Sequence, residues 1–215
     1  KGLHLKTYNI NSLSLGLTSA QQYLSKNIED NMRESIYNNG MASLVLTGGT
    51  SIKKFFSCLQ GMNLPWDKVY ILLSDDRLVS SDSIYSNEKM ILDQFINDEL
   101  KKKGLKYISI KDAYLSNNSK QEKLVKEYLK KSVMILSMGI DGHMASIFSE
   151  EDKVDTGQVL IKVSRPDFKR VSLTYSNLLV PKNRYIIVCG SSKIDFFNQL
   201  NLQEYYLKDL LRQSL

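Results

Sequence analysis

Short runs of β-branched and apolar residues recur along this chain, and most are followed by a polar or glycine-bearing turn and then by a segment with helical spacing. That alternation constrains the fold more than any other feature. An apolar run of five or six residues is too short to be a stable buried helix, and parallel strands need a crossover long enough to hold one. Strands are expected at residues 42–47, 69–73, 107–110, 133–138, 159–163, 171–174 and 184–189. Helices are expected at 18–39, from Thr50 and Ser51 onward, at 87–100, at 120–131 and over the final region 194–211. The first would be capped by Thr18 or Ser19, with Ala20, Tyr23, Leu24, Ile28, Met32 and Ile36 on one face. The second would carry Phe55, Phe56 and Leu59 inward, and a long polar loop is expected at 74–86. The fold class that follows is α/β: a mostly parallel, doubly wound sheet with helices on both faces, in one domain over residues 1–215.

The bulk composition narrows the function classes. Apolar residues make up 42% of the 215, enough for a sizeable core, and no apolar run reaches membrane-spanning length. Residues 1–8 carry no apolar signal core. Cys58 and Cys189 are too few for a disulfide framework and read as reduced, buried thiols, so a cytoplasmic location is expected. The net charge is +6, but much of it sits in Lys101-Lys102-Lys103 and in lysines interleaved with glutamates at helical spacing, as on a solvated face. No basic–aromatic interleaving suggests nucleic acid. Neither a nucleic-acid nor a membrane partner is expected, and a monomer is favoured.

Four loops that follow buried runs carry unusual residues. In a parallel sheet the carboxyl ends of the strands share one edge, so these loops can converge on one crevice. Gly139-Ile140-Asp141-Gly142-His143 holds one of only two histidines, the other being His4. Ala145 to Phe148 could open a helix that Asp141 caps, or the Asp141 carboxylate could face the imidazole; the residues allow both. Thr47-Gly48-Gly49-Thr50-Ser51, at a helix start, exposes amides suited to an anion, although it lacks the lysine and spacing of a nucleotide P-loop. It is equally a tight turn. Asp75-Asp76-Arg77 sets two acids beside a guanidinium, which can grip a phosphate in a fork or simply form a surface ion pair. Lys193 after Gly190, and Arg170, are further cations. Together these suggest a phosphorylated small molecule and a histidine base. The ligand set is too thin for a metal, and no cofactor is expected.

Taken in order, these motifs resemble the 6-phosphogluconolactonase family. Its Ser-Gly-Gly-Ser-Thr-Pro loop is similar to Thr47-Gly48-Gly49-Thr50-Ser51-Ile52. Its Asp-Glu-Arg-x-Val-Pro segment, followed by Ser-Asn, is similar to Asp75-Asp76-Arg77-Leu78-Val79-Ser80 with Ser86-Asn87. Its Gly-x-Asp-Gly-His-Thr-Ala-Ser-Leu-Phe-Pro segment resembles residues 139–149, its Arg-Val-Thr-Leu-Thr strand 170–174, and its late Gly-x-x-Lys 190–193. Asp76 stands where the family has glutamate, and Ile52, Ser80 and Ser149 where it has prolines. The resemblance implies hydrolysis of 6-phospho-D-glucono-1,5-lactone in the oxidative pentose phosphate pathway. It implies His143 as general base supported by Asp141, and substrate or phosphate contacts from Gly48, Gly49, Thr50, Asp75, Arg77, Asn87, Gly142, Arg170 and Lys193. Amide groups around Gly142 would meet the oxyanion, and Asp75 would orient Arg77 or bind a sugar hydroxyl. The amino-sugar-phosphate isomerase/deaminases share the implied fold but carry Asp-Glu-Tyr at the arginine motif and an Asn-Glu after the histidine, both absent here. A non-catalytic sugar-phosphate-binding module is the remaining alternative.

Overall fold

The computed structural model describes residues 15–212; His4 and the segment 1–8 lie outside the described residues. Helix α1, Leu15–Asn39, starts before Thr18 and Ser19, so neither caps it. It buries Leu24, Ile28 and Met32 and packs on strands β1, Ala42–Leu46, and β5, Ser132–Ser137. With β2, Val69–Leu73, β4, Lys106–Tyr107, and β8, Asn183–Ile187, these make a five-stranded sheet ordered β4-β2-β1-β5-β8. Every pairing in it is parallel. The apolar runs explain this. Leu44, Val45 and Leu46, Ile71, Leu72 and Leu73, and Val133 to Leu136 are all buried, as strands covered on both faces require. Helix α7, Ser119–Leu129, also packs on β1 and β5 through Val125 and Leu129, and leaves Lys120, Lys123 and Lys126 exposed.

The chain winds outward from β1 to β2 and β4, then returns to add β5 and β8 on the other side of β1. The order therefore reverses between β1 and β5, and the loops after those two strands flank the crevice where such sheets bind ligands.

A second sheet was not foreseen. Asp75–Arg77, expected within a polar loop, forms strand β3 and pairs antiparallel with β7, Lys169–Leu173, which pairs in turn with β6, Leu160–Ser164. These three strands stand apart from the parallel sheet. Acids read as loop formers because water solvates them, but here Asp75 and Asp76 are buried and hydrogen-bonded by protein groups. Ser74 is the corner between the sheets: its amide donates to Leu46 O (2.8 Å) and its carbonyl accepts from the Leu173 amide (2.8 Å).

Other segments also differ from expectation. The helix after Thr50 is two short pieces, α2, Thr50–Lys53, and α3, Phe56–Gln60. The helix at 87–100 is interrupted: α4, Asn87–Met90, runs into a π-helical turn, Ile91–Phe95, and Asn97 then caps α5, Asp98–Lys102, by accepting from the Leu100 amide (2.8 Å). The strand at 107–110 stops at Tyr107, because Ser109 caps α6, Ile110–Leu115. The final helical region is not continuous: α9, Ser191–Gln199, ends at an extended Leu200, and turns carry the chain to a 3-10 segment, Lys208–Leu211. Cys58 and Cys189 are free thiols, half-buried rather than buried.

Asp76 has no solvent exposure. It accepts from the amides of Arg77 (2.8 Å), Asn87 (2.7 Å) and Glu88 (3.1 Å), and Lys111 Nζ lies 3.4 Å away. Burial raises its pKa, with the Lys111 charge and the amides only partly opposing the shift. A raised carboxyl pKa favours the fold at acid pH and costs stability as pH rises through the folded value. Lys111→Met leaves that carboxylate without its cation and should destabilise the fold by about 3–5 kcal/mol near neutrality. The deficit should shrink as pH falls and Asp76 takes up a proton, which denaturant titrations across pH would measure.

Candidate active site

Three of the loops at the carboxyl edge of the parallel sheet, and one from the antiparallel sheet, meet in a cleft of about 240 Å³. Its lining includes Gly48, Gly49, Thr50, Asp75, Arg77, Asn87, His143, Arg170 and Lys193, so nine of the eleven residues singled out by sequence are brought together. Asp141 and Gly142 are not in that lining.

The histidine turn begins where β5 ends. No helix follows it. Ala145 holds φ 50°, and Met144 and Ile147 form an isolated bridge. The question left open for Asp141 is thereby answered locally: with no helix to cap, its Oδ1 meets His143 Nδ1 and also accepts the His143 amide (3.1 Å). Burial alone would raise the Asp141 pKa, but hydrogen bonds from the imidazole and amide of His143 outweigh it and hold the carboxyl below the ordinary aspartate value. The turn closes through Gly142 N–H to Gly139 O (3.0 Å) and Gly139 N–H to His143 O (2.8 Å). The Gly142 amide is thus engaged within the turn, so an oxyanion expected to meet amides around Gly142 would be met by its neighbours rather than by Gly142 itself. A Cβ on Gly139 would overlap the imidazole, so glycine is what lets the ring lie against the backbone. The ring also stacks on Phe148 at 4.3 Å between centroids.

The glycine loop after β1 is shaped by a close approach as well. A Cβ on Gly48 would overlap the Asn87 carboxamide, and Gly49 has φ 90°, a conformation that favours glycine. Helix α2 is a single turn, so its dipole contributes less than a full helix start would. Asn87 is fixed from both sides: its amide donates to Asp76, and its Nδ2 donates to Asp75 O (3.3 Å). Asp75 does not orient Arg77 by hydrogen bonding. Its two oxygens accept from Ser74 Oγ (2.8 Å) and Ser146 Oγ (2.7 Å).

The cations are arranged by register. In the β3–β7 pairing Arg77 lies directly opposite Arg170, which puts both side chains on one face of the sheet. Arg77 Nη1 donates to Tyr85 O (3.0 Å), and Arg170 Nη2 pairs with Asp167 (2.8 Å). The Nε of each is buried without a hydrogen-bond partner among the described residues. Like charges opposed across a ladder repel, and buried donors without acceptors cost free energy; an anion in the cleft relieves both. Lys193 enters from the first turn of α9, after Gly190 at φ 94°.

Several residues at the site were not among the eleven singled out, although most lie within the glycine and histidine motifs. Ser51, Ser137, Met138, Ile140 and Ala145 line the cleft, and Ser146 anchors Asp75. Phe148 touches His143 on one hand and Arg165 (4.3 Å) and Arg170 (5.1 Å) on the other. Phe148 sat in the histidine motif, and its place there was the available signal. Nothing in the spacing announced Arg165.

The family described as glucosamine-6-phosphate isomerases/6-phosphogluconolactonase matches residues 17–205. Among curated proteins, a 6-phosphogluconolactonase of Neisseria meningitidis is 27% identical over 194 residues, covering 84% of this chain and 83% of that protein. One of Mesorhizobium japonicum is 31% identical over 136 residues, covering 60% of this chain and 55% of that protein. Among solved structures, a 6-phosphogluconolactonase from Shewanella baltica superposes with a TM-score of 0.75 at 23% identity, covering 92% of this chain and 90% of that one. One from Trypanosoma cruzi gives 0.70 at 17% identity, covering 98% and 93%. At those identities the structures speak for the fold, whereas the family match extends through every loop of the cleft. The chain belongs to the glucosamine-6-phosphate isomerase/6-phosphogluconolactonase family.

Proposed function

We propose that this chain is a 6-phosphogluconolactonase, hydrolysing 6-phospho-D-glucono-1,5-lactone to 6-phospho-D-gluconate in the oxidative pentose phosphate pathway, in the cytoplasm and without a cofactor. The named relatives support a lactone-hydrolysing enzyme. The observation that carries the reading is one cleft holding both a carboxylate-supported imidazole and the opposed Arg77–Arg170 pair.

The chemistry follows from the tautomer. With the Asp141 carboxylate accepting at Nδ1, the ring proton sits there and Nε2 presents its lone pair. His143 Nε2 takes a proton from water as the water oxygen bonds to C1 of the lactone. The tetrahedral intermediate then breaks its bond from C1 to the ring oxygen, and the proton passes to that oxygen as it becomes a hydroxyl. The Gly142 amide is already engaged, so stabilising the oxyanion falls to other donors of the cleft. Arg77, Arg170, Lys193 and the Gly48–Gly49 loop hold the phosphate, and binding that remote group places C1 against the base. Thr50, Asn87 and Asp75 complete the substrate-binding wall, Asn87 by shaping the glycine loop.

His143→Ala should lower enzyme-dependent turnover of the fresh lactone by about 10²–10⁴-fold. Product binding should be largely intact. An unchanged rate, read against a no-enzyme control for spontaneous hydrolysis, removes His143 from the mechanism. Arg77→Ala should chiefly raise KM, by about 10–100-fold if it loses a charge-assisted contact of roughly 1.5–3 kcal/mol. An unchanged KM moves phosphate recognition elsewhere. Assaying the lactone beside glucosamine 6-phosphate tests the activity itself: ammonia release would indicate the isomerase/deaminase branch, and binding without turnover a non-catalytic module.

A further inference from the structure

The chain after α9 returns to the histidine turn. Tyr205 is buried, and its hydroxyl donates to the carbonyl oxygen of Gly142, the residue between Asp141 and His143. Tyr206 Oη donates to Ile147 O (2.9 Å). These bonds grip the two ends of residues 142–147, a stretch that contains His143 and the left-handed Ala145. Phe196 of α9 closes the same side: a Cβ on Gly142 would stand 2.6 Å from its ring and 3.5 Å from that of Tyr205. The clamp is itself held. Tyr206 O accepts from Lys153 Nζ (2.8 Å), which also lies over the Tyr175 ring (4.5 Å).

We propose that Tyr205 and Tyr206 are positioning residues for the His143 base, fixing the turn so that Asp141 and the imidazole stay engaged. This rests on the lactonase reading above. The turn cannot hold itself rigid by regular structure, because no helix or strand is formed between β5 and the 3-10 turn Glu150–Asp152, and Ala145 adopts a conformation that ordinary side chains disfavour. Two of its backbone carbonyls are closed by tyrosines, and the Ser146 amide donates to Ser172 Oγ (3.4 Å). The Gly142 amide binds Gly139 O and the His143 carbonyl binds Gly139 N–H, while the Gly142 carbonyl and the Ile147 carbonyl are taken by Tyr205 and Tyr206. Burial pushes both phenols above the ordinary tyrosine range, so they are protonated donors at neutral pH. Removing the Tyr205 hydroxyl leaves a buried carbonyl unsatisfied one residue from the base, and the turn relaxes to find a partner.

The test uses Tyr205→Phe and Tyr206→Phe in the full chain, with two readouts. Lactone turnover should show kcat lowered tenfold or more for Tyr205→Phe, with KM within twofold of wild type. The imidazole Nδ1–H signal of His143 in NMR spectra should be displaced or lost in the same variant. Because that signal does not require activity, it judges the positioning role even if the wild type fails to turn over the lactone, an outcome that would overturn the proposed function instead. A folded Tyr205→Phe variant with kcat within twofold and an unchanged Nδ1–H signal overturns the positioning role, whatever happens to its thermal midpoint. Should that variant fail to fold, Tyr206→Phe decides the matter by the same two criteria.

Discussion

The Asp75 carboxyl group joins the parts on which the cleft depends. It is buried at the corner where β2 passes into β3, and serines from two segments donate to it: Ser74 beside it and Ser146 beyond the histidine turn. Its own carbonyl receives the Asn87 side chain, which in turn packs on Gly48. One residue therefore links the histidine turn, the arginine-bearing sheet and the glycine loop. A buried carboxyl group is tolerated only when its oxygens are matched by donors, and here each donor comes from an element that the site must hold in register. The arrangement explains why an acid adjoining the arginine motif need not touch the arginine. Asp75 fixes where β3 starts, and β3 fixes where Arg77 stands.

That placement carries an electrostatic cost. Cross-strand registers normally set opposite or neutral partners against each other, yet Arg77 faces Arg170. Asp167 answers only one of the two, and the Nε of each has no acceptor among the described residues. Aromatic rings take up part of the burden, since both guanidiniums lie over Phe168, at 5.5 and 5.8 Å. Such an arrangement is poor as a stabilising device and suited to receiving an anion. Functional sites of this kind depart from local rules while the surrounding core, here the fully buried β1 and the largely buried β2 and β5, supplies the stability.

The parallel sheet was legible because its strands are continuous apolar runs, and a chain that alternates such runs with helices has few other ways to bury them. The cleft was legible for a related reason: glycines and charges stood just past the end of each run. What failed was anything decided by long-range satisfaction. Asp75 and Asp76 look like loop residues until serine hydroxyls, backbone amides and Lys111 are brought to them from segments up to 71 residues away. The opposition of Arg77 and Arg170 is a matter of register between strands remote in sequence, which no local pattern states. The helical spacing of residues 194–211 was real but misleading. Leu200 turns the chain, and Tyr205, Leu207 and Leu210 are buried outside one continuous helix.

Phe148 shows how recognition and chemistry are joined. The imidazole of His143 stacks on its ring, and the guanidiniums of Arg165 and Arg170 lie over the same ring. An anion that draws Arg170 toward itself acts on a side chain in cation–π contact with the ring that the His143 imidazole rests on. The imidazole is therefore bounded on three sides: the Asp141 carboxylate accepts at Nδ1, the Gly139 backbone lies against the ring, and Phe148 stacks on its face. Lactones are reactive enough that a well-placed proton acceptor carries most of the remaining task. On the proposed mechanism the placement of one imidazole would matter more than the number of catalytic groups, and these contacts hold that ring in place.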